Sequence, residues 1–228
     1  MNLFKIIEKE AKTYTLLEKI FFPSFLILAA FVSIYKNDSP IALLSALCGI
    51  SYTILAGKGK FFCFFIGLIG SFCYVYLAIK SGLYGNAFLY GFYYIPTQII
   101  GIFNWKKHLK KESFEIIKTS LSKSQKMFYA FIPVISSFVL FLILRQLGGK
   151  TPFMDAFTVV LSIAGQLLTV KRCIEQWYFW FFVNLFSVIM WINAVLNGSK
   201  AYAVILMWII YLILSVYFFF IWKKEMKG

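Results

Sequence analysis

Acidic residues are the first shortage in this 228-residue chain: Asp and Glu together number 9 against 23 Lys and Arg, and the one histidine is His108. No acid, no Lys or Arg and no histidine falls in the middle of an apolar run, so no proton relay of the kind used by proton-coupled carriers is visible. No GxxxxGK[ST] stretch occurs, which excludes a P-loop pump. A nucleophile with a base and an orienting acid is also missing, so the chain is not expected to be an enzyme. Cysteine is scarce: Cys48, Cys63 and Cys73 lie within apolar runs and Cys173 at the end of one, which gives neither a disulfide framework nor a metal site. No cofactor is expected.

What the chain has instead is apolar length. Hydrophobic residues make up 61% and charged residues 14%, with a mean hydropathy of +0.80. A soluble domain cannot cover that much apolar surface, so the composition predicts an all-α membrane protein. Runs able to cross a ~30 Å hydrocarbon core occupy residues 20–35, 41–56, 61–79, 86–104, 127–144, 155–170, 176–195 and 201–222, which makes eight transmembrane helices. The cations test that number. Four precede the first run, two follow the second, seven lie between the fourth and fifth, two follow the sixth and three follow the eighth, 18 on one side. The other side receives Lys36, Lys80, Arg145, Lys150 and Lys200. Basic loops stay cytoplasmic, so both termini are expected inside. The net charge of +14 then reflects topology and contact with anionic membrane lipids, and no nucleic-acid role follows from it.

The whole chain, 1–228, reads as one integral membrane domain. Residues 1–19 carry Leu3, Ile6, Ile7, Tyr14 and Leu17 on one helical face and predict an interfacial amphipathic segment. The first run, 20–35, is expected to be retained and not cleaved as a signal peptide. An internal repeat follows. LAGK at 55–58 stands opposite LTVK at 168–171, and WKK at 105–107 opposite WKKE at 222–225. Residues 41–104 and 155–222 therefore form two triple-helix repeats joined by a linker helix at 127–144, one leading helix plus a 3+1+3 parallel-repeat core. Parallel repeats are a transporter device, with the site between the halves.

The candidate site is built from neutral groups. Trp177, Trp180, Asn184, Ser187 and Trp191 form one stripe along the seventh span. Ser162, Gln166 and Thr169 form a shorter stripe on the sixth, and Tyr90, Tyr94, Thr97, Gln98, Gly101 and Trp105 gather on the fourth. Counting from span ends puts Gln98, Gln166 and Asn184 near mid-depth. Amides read hydroxyls and carboxamides, and indole faces bind flat or cationic rings. The expected ligand-binding residues are Gln98, Gln166, Trp177, Trp180, Asn184 and Tyr94. A single amide reads equally well as a helix–helix hydrogen bond, and Trp177, near a span end, as part of an interfacial belt. Pro96 and Pro133 interrupt the fourth and fifth spans and can serve as hinges.

These residues carry a resemblance. The stretch 160–188, VLSIAGQLLTVKRCIEQWYFWFFVNLFSV, resembles the signature of the PnuC family of nicotinamide riboside transporters, and LAGKGK at 55–60 and LYGNAFLYGFYYIPTQIIGIFNW at 83–105 agree with the family pattern. The resemblance covers residues 16–225. It implies a SWEET-like fold, a homotrimer in the bacterial inner membrane, and uptake of this NAD precursor by facilitated diffusion. It also implies a functional link to a cytoplasmic riboside kinase that traps the substrate. Trp177, Trp180, Asn184 and Gln98 match the family's positions. Gly70 is a departure, since the family often has Asn there. Relatives of the family handle thiamine or riboflavin, which keeps another vitamin open as the substrate. A membrane scaffold and a membrane enzyme are the distant alternatives.

Overall fold

The computed structural model describes residues 14–35, 37, 39–80, 87–110, 115–146, 152–196 and 202–227. Residues 1–13 of the expected interfacial segment lie outside the described residues. Among the described residues there are eight helices, one for each apolar run: α1 Leu16–Tyr35, α2 Pro40–Gly57, α3 Cys63–Lys80, α4 Ile95–Lys107, α5 Lys123–Gln146, α6 Pro152–Val170, α7 Gln176–Leu196 and α8 Tyr202–Glu225. α1, α2, α5, α6 and α8 are long and apolar enough to cross a membrane, and stretches of α3 and α7 form shorter apolar helices. α4 is too short and too polar to qualify by itself, because its 13 residues include Pro96, Thr97, Gln98, Gly101 and Asn104.

Helix starts follow local chemistry. Thr15 and Glu18 bond reciprocally, Thr15 N to Glu18 Oε2 at 2.8 Å and Glu18 N to Thr15 Oγ1 at 3.2 Å, a capping box that opens α1. Ser122 and Gln125 repeat the device at α5, at 3.0 and 3.3 Å. Ser39 Oγ accepts from Ala42 N at 3.2 Å ahead of Pro40 at the start of α2. α4 is entered through a π-helical segment, Leu89–Tyr94. Pro96 brings no N–H, and Ile95 N reaches five residues back to Tyr90 O. Pro133, by contrast, is accommodated within a continuous α5, where Ser137 Oγ donates to its carbonyl at 2.7 Å.

Packing joins α2 to α3, α3 to α4, α5 to α6, α6 to α7 and α7 to α8, and α1 lies against α2 and α8. Two groups of helices, α2 to α4 and α6 to α8, meet through α2 with α8 and through α4 with α6. The corners at the Lys-rich end match bond for bond. Lys58, Gly59, Lys60, Cys63, Phe64 and Phe65 donate to the carbonyls of Ile54, Ala56, Leu55, Lys60, Phe61 and Phe62. Lys171, Arg172, Cys173, Gln176, Trp177 and Tyr178 donate to Leu167, Thr169, Leu168, Cys173, Ile174 and Glu175 in the same pattern. Gly59 and Arg172 occupy equivalent places with φ of 71° and 62°. The left-handed conformation at both closes the same turn.

Two indoles cross between the groups. Trp105 Nε1 donates to Thr169 O at 2.9 Å, and Trp222 Nε1 donates to Gly57 O at 2.6 Å. Both rings are fully buried, each with an aromatic ring edge-on beside it: Phe64 at 4.9 Å and Trp177 at 5.6 Å between centroids. The segment after α4 then ties the two corners together. Ile116 N donates to Gly59 O at 3.0 Å and Thr119 N to Arg172 O at 2.9 Å, with ion pairs of Lys60 to Glu115 at 3.2 Å and of Lys118 to Glu225. Burial holds the Lys118 ammonium below the usual lysine range despite its carboxylate partner.

Each crossing indole satisfies a carbonyl near a helix end. Trp105→Phe and Trp222→Phe should therefore each lower stability by about 1–2 kcal/mol, by similar amounts, in chemical or thermal melts of the detergent-solubilised protein. A large loss from one and none from the other would break the equivalence of the two ends.

Candidate functional site

Above the indole layer the interior turns polar without becoming charged. Gln166 is 1% exposed on α6 and fully engaged: its Oε1 accepts from Tyr52 OH at 3.4 Å, and its Nε2 donates to Thr97 Oγ1 at 3.3 Å. Thr97 passes its own proton back to Tyr93 O at 2.7 Å. Trp180 Nε1 donates to Thr169 Oγ1 at 3.0 Å, and that hydroxyl donates to Gly165 O at 2.9 Å. Ring and backbone approach closely there, since a Cβ on Gly165 would lie 3.2 Å from the Trp180 ring.

Gln98 is different. Its Nε2 donates to Ser71 Oγ at 2.9 Å, but its buried Oε1 has no partner. Exchanging the amide's O and N would still leave one of the two groups unpaired. Asn184 is 5% exposed, and among the described residues its carboxamide takes no hydrogen bond. An orphaned amide oxygen costs free energy when buried, so Gln98 calls for a ligand or water to complete it. Gly67 marks the shared wall: a Cβ there would lie 2.7 Å from the Tyr52 ring and 3.1 Å from Gln98 Oε1. Tyrosines from the π-helical segment line the next level. Tyr94 is 8% exposed, 4.7 Å from Tyr90, which lies 4.2 Å from Tyr74 on α3.

The structure thus brings Gln98, Gln166, Trp180 and Tyr94 to one polar interior, with Asn184 one turn from Trp180 along α7. Trp177 lies a turn nearer the Lys-rich end, 3% exposed against Phe218 at 5.5 Å and Trp222 at 5.6 Å, with its Nε1 unpaired. It is buried in the bundle and not at the membrane surface. The Trp191 side chain lies outside the described residues. Gly70 has a packing reason: a Cβ there would come within 2.9 Å of Cys48 Cβ, so α2 leaves no room for the Asn expected from the family pattern. Sequence reasoning missed Tyr52 and Ser71. Tyr52 carried one usable signal, since a displacement of 113 residues sets it opposite Gly165, next to Gln166.

Buried charge stays at the ends. Among the described residues Glu18, Lys60, Lys118 and Glu175 have buried charged side chains, all at the Lys-rich end. No group of three or more His, Cys, Asp or Glu able to hold a metal occurs among the described residues. The interior can stack a flat ring and hydrogen-bond neutral polar groups. Such a multi-pass helical bundle, with a neutral aromatic and amide interior, is the architecture of a membrane transporter.

Comparison with known proteins narrows the class. Residues 39–224 match the family model described as nicotinamide mononucleotide transporter. The nicotinamide riboside transporter PnuC of Neisseria mucosa is 32% identical over 219 residues, 94% of this chain and 83% of that protein. The PnuC of Haemophilus influenzae is 28% identical over 92% of this chain and 91% of its own length. A crystal structure of the vitamin B3 transporter PnuC superposes with a TM-score of 0.82 at 31% identity, covering 96% of both chains. The chain belongs to the PnuC family of transporters.

The two glutamines should respond differently to truncation. Gln166→Met breaks two hydrogen bonds and should cost about 1–2 kcal/mol of stability. Gln98→Met removes one bond and one orphan together, so its melting midpoint in detergent should stay within about 1 kcal/mol of the parent.

Proposed function

We propose that the chain carries nicotinamide riboside across the bacterial inner membrane by facilitated diffusion with alternating access. The observation that carries this reading is the unpaired buried oxygen of Gln98 in an uncharged interior that also holds Trp180 and Asn184. The riboside offers a pyridinium ring, a carboxamide and ribose hydroxyls. Aromatic faces attract such a cation, and neutral amides pair with its polar groups without any buried carboxylate. Trp180, Asn184, Gln98 and Tyr94 would touch the ligand, while Gln166 and Trp177 hold the walls.

The family is described by the mononucleotide and the relatives by the riboside, which differ by one phosphate. Taking a phosphate into an interior without a cation would be costly, so the site favours the nucleoside. Thiamine and riboflavin remain the rival vitamins of the same fold.

The architecture we propose for this role has eight spans: the leading helix, then two parallel triplets joined by α5. The matching corners, the paired φ values of Gly59 and Arg172 and the exchanged indoles support it. Both termini would face the cytoplasm with the Lys-rich end. An uncoupled carrier only equilibrates its substrate, so accumulation would require a cytoplasmic kinase that phosphorylates the riboside. The homotrimer and the kinase link extend the family resemblance.

Isothermal calorimetry on the purified protein with nicotinamide riboside, its mononucleotide, thiamine and riboflavin tests the substrate. The riboside should bind and the mononucleotide should not; tighter binding of thiamine or riboflavin would reassign the chain. Trp180→Ala and Asn184→Ala should each weaken riboside binding by roughly 1–3 kcal/mol. Proteoliposome counterflow should proceed with no ion gradient, and concentrative uptake driven by an imposed sodium or proton gradient would defeat the facilitator reading.

A further inference from the structure

A cavity of about 460 Å3 opens at the Lys-rich end between α5 and the pair α7 and α8, away from the amide layer. It exists because α5 packs along α6 and meets α7 at Tyr129, whose ring lies 6.1 Å from Phe179, so a wedge stays open toward α8. Its walls are aromatic and apolar, with Tyr129 and Ala130 from α5, Phe179 from α7 and Phe219 from α8. Its rim carries Lys126 from the first turn of α5 and Lys223 from the last turn of α8.

The charge balance at the rim is uneven. Glu175 is the acid of this cavity, and its carboxylate accepts from Ser120 Oγ at 2.8 Å, from Leu121 N at 3.2 and 3.1 Å, and from Lys126 Nζ at 3.2 Å. Lys126 remains half exposed, and Lys223 sits 5.7 Å over the Phe219 ring with no ion pair among the described residues. Two ammonium groups against one engaged carboxylate leave one positive charge. An apolar wedge with a single positive rim charge, at the basic end of a membrane bundle, matches a lipid with one negative phosphodiester.

We propose that this cavity is a binding site for an anionic phospholipid, its phosphodiester between Lys126 and Lys223 and its acyl chains against Ala130, Phe179 and Phe219.

The test uses the full-length protein in mild detergent with equimolar phosphatidylglycerol and phosphatidylcholine, retained lipid being read by native mass spectrometry. Phosphatidylglycerol should be retained in preference. Lys126→Gln with Lys223→Gln should lower its retention by roughly fivefold per lysine removed. Lys106→Gln with Lys107→Gln, the same charge change on α4, should leave it unaltered. Ala130→Trp, which fills the wedge at an exposed position, should reduce retention with all charges kept. Equal losses in the two lysine pairs would mean diffuse attraction, and equal retention of both lipids by the parent would mean no anionic site; either overturns the proposal. A changed subunit number by light scattering in the Lys126 and Lys223 variant, with lipid retention intact, would assign the face to a second copy and overturn it too.

Discussion

The exchange of two indole N–H groups across the bundle is the interaction on which the rest depends. A helix ending inside a membrane protein leaves carbonyls that water cannot reach, and each must find a donor. α2 and α6 solve this with a tight left-handed turn and with a tryptophan borrowed from the other group of helices, Trp222 for Gly57 and Trp105 for Thr169. Because each donor belongs to the opposite group, neither group is complete alone. The segment 115–121 adds a covalent reason for the same union, since its amides reach both turns in succession.

The likeness of the two corners ends one turn above the indoles. In the first group a large ring on α2, Tyr52, packs against a glycine on α3, Gly67. In the second the arrangement is reversed, with Gly165 on α6 and Trp180 on α7. Position for position the glycine and the aromatic trade places, so the two rings enter the interior from differently placed helices. The amides are unequal for the same reason. Gln166 is bound by Tyr52 and Thr97, whereas Gln98 is held by Ser71 alone. One half therefore supplies a satisfied wall, and the other keeps the hydrogen-bonding capacity that a ligand can use.

The eight helices were legible in the sequence because length and apolarity are one-dimensional properties: every expected run holds a helix, with ends displaced by a few residues except in the fourth, where α4 begins only at Ile95 behind the π-helical segment. Gln98, Gln166 and Asn184 could be found by counting depth from span ends. Partnership could not. That Gln166 is spent on Tyr52 while Gln98 is left open depends on which helices touch, and α2 meets α6 through residues 114 apart in the chain. The π-helical turn before Pro96 was readable as an interruption but not as a wider turn that turns Tyr90 and Tyr94 inward. Gly70 misled most plainly. Read as a missing amide, it is a contact point where α2 and α3 approach too closely for any side chain.

The same correspondence separates the two tryptophans that the sequence treats as a pair. Trp177 stands opposite Phe64 at the displacement that aligns the corner hydrogen bonds, and both rings meet a crossing indole edge-on, at interplanar angles of 83° and 82°. A ring doing in one half what phenylalanine does in the other needs no indole nitrogen, and the Trp177 N–H is indeed unpaired. Trp180 has no such counterpart, because Gly67 occupies the equivalent place, and its N–H is tied to Thr169. That bond anchors the indole to α6. A face held in place before the ligand arrives loses little freedom on binding, which is how a site built only from neutral groups can be selective while holding its ligand weakly enough to release it.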